Sequence, residues 1–262
     1  MSEAPTVLSV DGLAVRFGGL TAIDDMSFAV REGEVLSLIG PNGAGKTTAF
    51  NAITGYLIPA AGEVAYRGRR ITGLRPHQIA ALGLVRTFQK TSVFGGRTVL
   101  DNVLIGLHMR SAQTPLAIML GLPSVAREEA MLEEAAREVL RFVGLERRAG
   151  ERGHALAYGE QRLLEVAIAL AAEPKLLLLD EPVSGMNPAE KANFMRMLAA
   201  IRAKGITVLL VEHDMRTVMG ISDRVVVLNQ GRIIADGSPD AIQRDPQVIR
   251  AYLGERYRRA HG

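Results

Sequence analysis

From Val7 to Phe17 apolar and polar residues alternate, as along a strand with one buried face, and Asp11-Gly12 in the middle allows a hairpin. Ser27 to Val30 repeats the alternation, and Arg31-Glu32-Gly33-Glu34 reads as a turn. The pattern then changes. Val35-Leu36-Ser37-Leu38-Ile39 is almost uniformly apolar, which predicts a strand buried on both faces, as in a parallel sheet. A glycine-rich turn and a helix from about Lys46 to Thr54 follow, and Glu63 to Ile71 predicts another strand pair turning at Arg67-Gly68-Arg69. Between about Thr98 and Gly150 the texture is helical, with Arg127 to Val143 carrying apolar residues at helical spacing. Strands return at Lys175–Leu179, Thr207–Val211 and Arg224–Leu228, each after a helical stretch. Ile233 to Asp236, after Asn229-Gln230-Gly231, closes a hairpin, and Pro239 to Leu253 reads as a short helix. This order predicts an α/β parallel sheet with a helical insertion between its halves.

Composition narrows the class further. With 262 residues the chain fits one large domain, or a core carrying a small subdomain. Apolar residues at 48% and charged residues at 23% exclude a disordered tail protein, a collagen-like fibre and a coiled-coil rod. The absence of cysteine excludes a disulfide framework, a thiol nucleophile and a zinc–thiolate site. Met1-Ser2-Glu3-Ala4-Pro5 has neither a basic start nor a long apolar run, so a cytoplasm-like compartment is expected. No run approaches the roughly 18 apolar residues of a membrane span. The net charge of +3 is too small to argue for nucleic acid.

The sharpest local signal is Gly40-Pro41-Asn42-Gly43-Ala44-Gly45-Lys46-Thr47, which fits G-x4-G-K-[ST] and sits between a buried strand and a helix. Glycines let such a loop turn successive N–H groups toward phosphate oxygens, and the helix N-terminus adds partial positive charge. Lys46 would reach the β- and γ-phosphates and Thr47 would hold Mg²⁺. The plainer alternative is a glycine-rich turn. Next, Leu176-Leu177-Leu178-Leu179-Asp180-Glu181 reads as a buried strand delivering acids at its carboxyl end, where open α/β sheets bind ligands. Asp180 would hold Mg²⁺, and Glu181 would orient or deprotonate an attacking water; the alternative is a helix-capping acid pair. His213, after the apolar run Ile206–Val211, would hydrogen-bond a γ-phosphate and keep water and Glu181 in line, against a purely structural role. His77, His108, His154 and His261 have no such setting.

Taken in order, these elements resemble the ATP-binding subunits of ABC transporters, over nearly the whole chain. Phe17 lies ahead of the loop, Thr87-Phe88-Gln89 in the middle, then Leu156 to Arg162, Asp180-Glu181, Ser184 to Asn187, and His213. The resemblance implies a P-loop NTPase (RecA-like) core over residues 1–90 and 165–262 with an antiparallel β part, and a helical subdomain over about 91–164. It implies ATP and Mg²⁺ as ligands, with Phe17 stacking on adenine and Thr48 joining the loop around the phosphates. Gln89 corresponds to a glutamine that touches Mg²⁺ or γ-phosphate and links the site to a membrane partner. Val183-Ser184-Gly185-Met186-Asn187 stands where two subunits meet. In the family two subunits sandwich two ATPs, so Ala157, Tyr158, Gly159 and Glu160 would face the nucleotide of the other.

The family's Leu-Ser-Gly-Gly-Gln signature is here Leu156-Ala157-Tyr158-Gly159-Glu160-Gln161-Arg162. Ala157 lacks the serine hydroxyl, and Glu160 adds a negative charge. This variant, with Gly185-Met186-Asn187-Pro188 and the tail Val248-Ile249-Arg250-Ala251-Tyr252-Leu253-Gly254-Glu255, resembles the larger ATPase of branched-chain amino-acid importers. The resemblance implies two transmembrane permease subunits, a second ATPase (another copy or a different chain), an external substrate-binding protein acting indirectly, and a place on the inner face of the membrane. The alternative is a soluble ABC ATPase acting on ribosomes or DNA. A guanine-reading Asn-Lys-x-Asp is not supplied by Asn229-Gln230-Gly231-Arg232. The apolar run Pro115–Pro123 reads as a packed loop or as a contact with the membrane partner. Arg256, Arg258 and Arg259 read as a solvated tail, with anionic lipid or nucleic acid as the alternative.

Overall fold

The computed structural model describes residues 4–87, 93–107 and 123–252, and the chain divides into two compact units. The first comprises the residues up to Arg86, Lys175–Pro182 and those from Leu198 onward. Its strands are β1 (Thr6–Phe17), β2 (Leu20–Arg31), β3 (Val35–Ile39), β4 (Ala61–Tyr66), β5 (Arg69–Arg70), β6 (Leu84–Arg86), β7 (Leu176–Asp180), β8 (Thr207–Val211), β9 (Arg224–Asn229) and β10 (Arg232–Gly237). They form a four-stranded sheet ordered β2-β1-β4-β5 and a six-stranded sheet ordered β10-β9-β3-β8-β7-β6.

The apolar runs explain which strands lie where. Every residue of β3, β7 and β8 is buried, and these strands pair in parallel with their neighbours. The alternating strands β1, β2 and β4 pair antiparallel. β10 runs antiparallel to β9 because Gln230 and Gly231 both take positive φ, the requirement of a tight two-residue hairpin. The core of the unit joins β1, β2 and β4 residues such as Leu8, Met26 and Val64 to Phe50, Leu176 and Leu209.

Of the two readings open at Asp11-Gly12, the strand holds: β1 continues through the dipeptide, and the register with β2 shifts between Val10 and Leu13, so a bulge takes up the irregularity. One expectation is corrected. The helix from Pro239 stops at Arg244. Pro246 cannot continue it, and the Asp245 carboxylate accepts from the N–H groups of Gln247 and Val248, capping a second helical segment over residues 246–252.

The second unit comprises Thr87–Pro174 and Val183–Met197. Its helices are Val99–Leu107, Pro123–Val143, Tyr158–Ala171 and the opening turns of Pro188–Ala203. Asn102, fully buried, accepts from Phe94 N–H at 2.7 Å and donates to the carbonyls of Phe94 and Thr98. Gly153 N–H donates to Arg97 and His154 N–H to Gly95, so residues 94–98 and 151–154 are tied together within the unit. Among the described residues, no helix is long and apolar enough to cross a membrane. Pro115–Leu122, Gln89, the tail arginines and the tail beyond Tyr252 lie outside the described residues.

Candidate nucleotide site

In the first unit, β3 ends at Ile39, the glycine loop follows at its carboxyl end, and the helix Lys46–Ile53 begins at once. The loop is braced from two sides: Ala44 N–H donates to the Pro41 carbonyl, and Gly231 N–H donates to the Ala44 carbonyl. The buried Lys46 side chain folds back over it, its Nζ donating to Gly40 at 2.7 Å and Pro41 at 2.9 Å. An ammonium held on a glycine loop at a helix N-terminus suits a polyphosphate. Thr47 is exposed beside it.

Glycine is required here for close approach. A Cβ at Gly40 would lie 2.0 Å from the backbone carbonyl oxygen of Leu228, whereas at Gly43 (φ 77°) it would meet nothing within 4 Å. Gly40→Ala is therefore expected to cost about 3 kcal/mol or more, because backbone must move. Gly43→Ala should cost only the roughly 1–2 kcal/mol of the left-handed conformation. Thermal melts of the two variants check this order; equal melting temperatures would refute it.

The acids come from β7. Asp180 pairs in register with Val211 of β8, and Glu181 N–H donates to the Val211 carbonyl at 2.9 Å, which brings Glu181 beside Glu212-His213. His213 Nδ1 lies 3.7 Å from Glu181 Oε2, and the half-exposed ring faces an accessible carboxylate. Glu181 has φ 46°, an uncommon left-handed conformation for a residue with a side chain, and strain of this kind concentrates at functional sites. Glu212 is fully buried and accepts from His213 N–H at 3.0 Å. Asp214 caps the helix Met215–Ile221 by accepting from Arg216 and Thr217 N–H. Together these fix the backbone that carries the histidine.

Asp180 has a partner that sequence reasoning missed. Arg86, at the carboxyl end of β6, donates from Nη2 to Asp180 Oδ2 at 2.8 Å, with both side chains buried. Its Nη1 donates to Asn51 at 2.7 Å and Thr54 at 3.2 Å, and the guanidinium lies over the rings of Phe50 and Tyr56. Burial raises the Tyr56 phenol pKa, and the nearby Arg86 charge pulls it part of the way back. The available signal was Leu84-Val85-Arg86 itself, an apolar strand ending in a charge, like Leu176–Asp180. The Thr47 hydroxyl and Asp180 carboxylate are hard oxygen donors, the chemistry that suits Mg²⁺ shared with substrate phosphates. Phe17, the last residue of β1, is half exposed.

In the second unit, Ala157 in extended conformation opens the helix Tyr158–Ala171. Glu160 Oε2 accepts from Ala157 N–H at 3.1 Å and Oε1 from Arg148 at 3.2 Å, so its charge is turned onto its own helix end and met by a cation. The Arg148 pKa is raised, first by its hydrogen bond to Glu151 and then by the Glu151 and Glu160 charges. Gln161 donates to the Leu156 carbonyl.

A glycine loop between a buried parallel strand and a helix, a lysine on that loop and a carboxylate pair on a nearby strand define a P-loop NTPase. Residues 23–184 match the ABC transporter family, and residues 232–258 match the branched-chain amino acid ATP-binding cassette transporter family. The chain is 44% identical over 250 residues to the high-affinity branched-chain amino acid transport ATP-binding protein LivG of Salmonella typhimurium, covering 95% of this chain and 98% of that one. Identity and coverages are the same for BraF of Pseudomonas aeruginosa, which carries the same description. The ADP conformation of MJ1267, an ATP-binding cassette of an ABC transporter, superposes with a TM-score of 0.84 at 33% identity, covering 96% of this chain and all of that one. The chain belongs to the ABC transporter family, as one of its ATP-binding subunits, and is an ATPase.

Proposed function

We propose that this chain powers an importer of branched-chain amino acids or related amides from the inner face of the membrane. The observation that carries this reading is the near end-to-end match to LivG and BraF, including the C-terminal segment 232–258. The subunit would work beside two permease subunits and a second ATPase, with an external binding protein delivering cargo. Its core would span residues 1–90 and 165–262, and its helical subdomain about 91–164.

In this reading the loop Gly40–Thr48 and the Lys46 ammonium bind the ATP phosphates, and Phe17 stacks on the adenine. Thr47, Asp180 and Gln89 hold Mg²⁺, which when bound neutralises phosphate charge. Water attacks the γ-phosphorus, the bond to the bridging oxygen of ADP breaks, and Glu181 takes the water proton on its carboxylate. His213, 3.7 Å away, holds that carboxylate in line. The segment Ala157 to Glu160 of the opposing subunit closes over the γ-phosphate with its helix-end amides. Ala157 N–H and Arg148 engage the Glu160 carboxylate, which weakens its repulsion of that phosphate. Loss of the γ-phosphate then lets the pair open.

The test is to pull down tagged Glu181→Gln from its own cells in ATP and mild detergent. Two multi-spanning membrane proteins and a second ATPase are expected. Ribosomes or DNA-bound proteins, with no membrane protein, would overturn the transport reading while leaving the ATPase.

A further inference from the structure

The second unit contains a contact that nucleotide binding does not explain. The Tyr158 ring lies against the backbone of Gly185: a Cβ there would sit 2.9 Å from the ring's Cε1. The next residue makes a matching contact. A Cβ on Gly159 would come within 2.6 Å of the Glu190 carboxylate. Glu190 accepts from Asn187 N–H at 2.8 Å, and the Asn187 side chain accepts from Glu190 N–H at 3.0 Å. The loop Val183–Asn187 is thus touched at Gly185 by Tyr158, and its far end is held by the acid lying on Gly159.

The ring itself is fixed. Arg162 donates to the Tyr158 hydroxyl from Nε at 3.1 Å and Nη2 at 2.8 Å, and its guanidinium also lies over the ring, 5.2 Å from its centre. Its Nη1 donates to the buried Glu165 at 2.8 Å. Burial lowers the Arg162 pKa, but the bonds to Glu165 and Tyr158 outweigh it and raise it overall. A half-exposed tyrosine tethered this way loses the rotational freedom that a surface ring normally keeps. Gly185 has φ 77°, so any other residue there would be strained as well as blocked by the ring.

We propose that Tyr158 is a positioning residue: its ring seats the loop Val183–Asn187 against the first turn of its helix, so that the two segments meet the second ATPase as one rigid ledge. This rests on the sandwich-dimer reading for its consequence, but not for the contact. Tyr158 is then more than a substitute for a glycine in the signature. It sets the place of a loop that contributes to the neighbouring subunit's site, and closing would be weakened when the loop drifts.

The chain has no cysteine, so Ser184→Cys offers a single point for a spin label in the full-length protein. In the Glu181→Gln, Ser184→Cys parent the label should show a slow-motion component. Tyr158→Ala should lose that component, and Tyr158→Phe, which keeps the ring, should retain it. ATP-driven pairing, followed by gel filtration, should fall with Tyr158→Ala and be rescued by Tyr158→Phe. An unchanged spectrum in Tyr158→Ala overturns the proposal. So does a loosened loop that pairs as well as the parent. Failure of unlabelled Glu181→Gln to pair, either with itself or with the second ATPase recovered in the pull-down, would count against the sandwich reading, while the spectra would still decide whether Tyr158 seats the loop.

Discussion

Glu181→Gln is expected to lower ATP turnover by about 10²–10⁴-fold, the usual contribution of a positioned general base. At about 1.4 kcal/mol per tenfold this is roughly 3–5 kcal/mol of barrier. Glutamine keeps the length and shape of the side chain and can still donate or accept a hydrogen bond, but it cannot take a proton from water. The Glu181 N–H bond to Val211 and the left-handed backbone at φ 46° are main-chain features and persist in the variant. The melting temperature should therefore hold. ATP affinity should hold too, since the loop Gly40–Thr48 with Lys46 carries binding. Phosphate release in the assembled complex and titration with a fluorescent nucleotide separate the two effects. Turnover within a factor of two of the parent would remove Glu181 from the chemistry.

What the sequence displayed and what it hid divide along a physical line. Elements that a short window specifies were legible: β8 falls where the apolar run Thr207–Val211 predicted it, and the glycine loop lies between a buried strand and a helix. These need only hydrophobic periodicity and loop chemistry. The Arg86–Asp180 pair was hidden because the residues are 94 positions apart and meet only through the order β6-β7 in the sheet. Strand and hairpin both stayed open at Asp11-Gly12 because a dipeptide that suits a turn also suits a bulge, and the two partners of β1 decide between them. Glu160 shows a third kind of gap. Its charge was evident, but its direction depends on Arg148, 12 residues earlier in sequence and adjacent only in the folded unit. The same holds for Tyr158 and Gly185, whose contact no local pattern announces.

The largest expected loss of stability belongs to Arg86→Met, about 3–5 kcal/mol. Asp180 has a fully buried side chain and Arg86 is 8% exposed, so water screens the pair little. Methionine fills much of the arginine's volume over Phe50 and Tyr56 but takes the guanidinium away from three acceptors at once: Asp180, Asn51 and Thr54. Leaving a buried carboxylate without that cation costs far more than breaking a surface bridge, which is worth about 1 kcal/mol or less. For a chain of this size each kcal/mol moves the midpoint by roughly 2–4 °C, so a fall of at least about 6 °C is expected. Volume alone does not predict the next result. Combining Arg86→Met with Asp180→Asn removes the charge that the arginine answers, so the double variant should melt above the sum of the single losses, with a coupling of about 1–3 kcal/mol. Additive losses in that cycle would mean that Arg86 serves the fold through packing on Phe50 and Tyr56 and not through the acid at the end of β7.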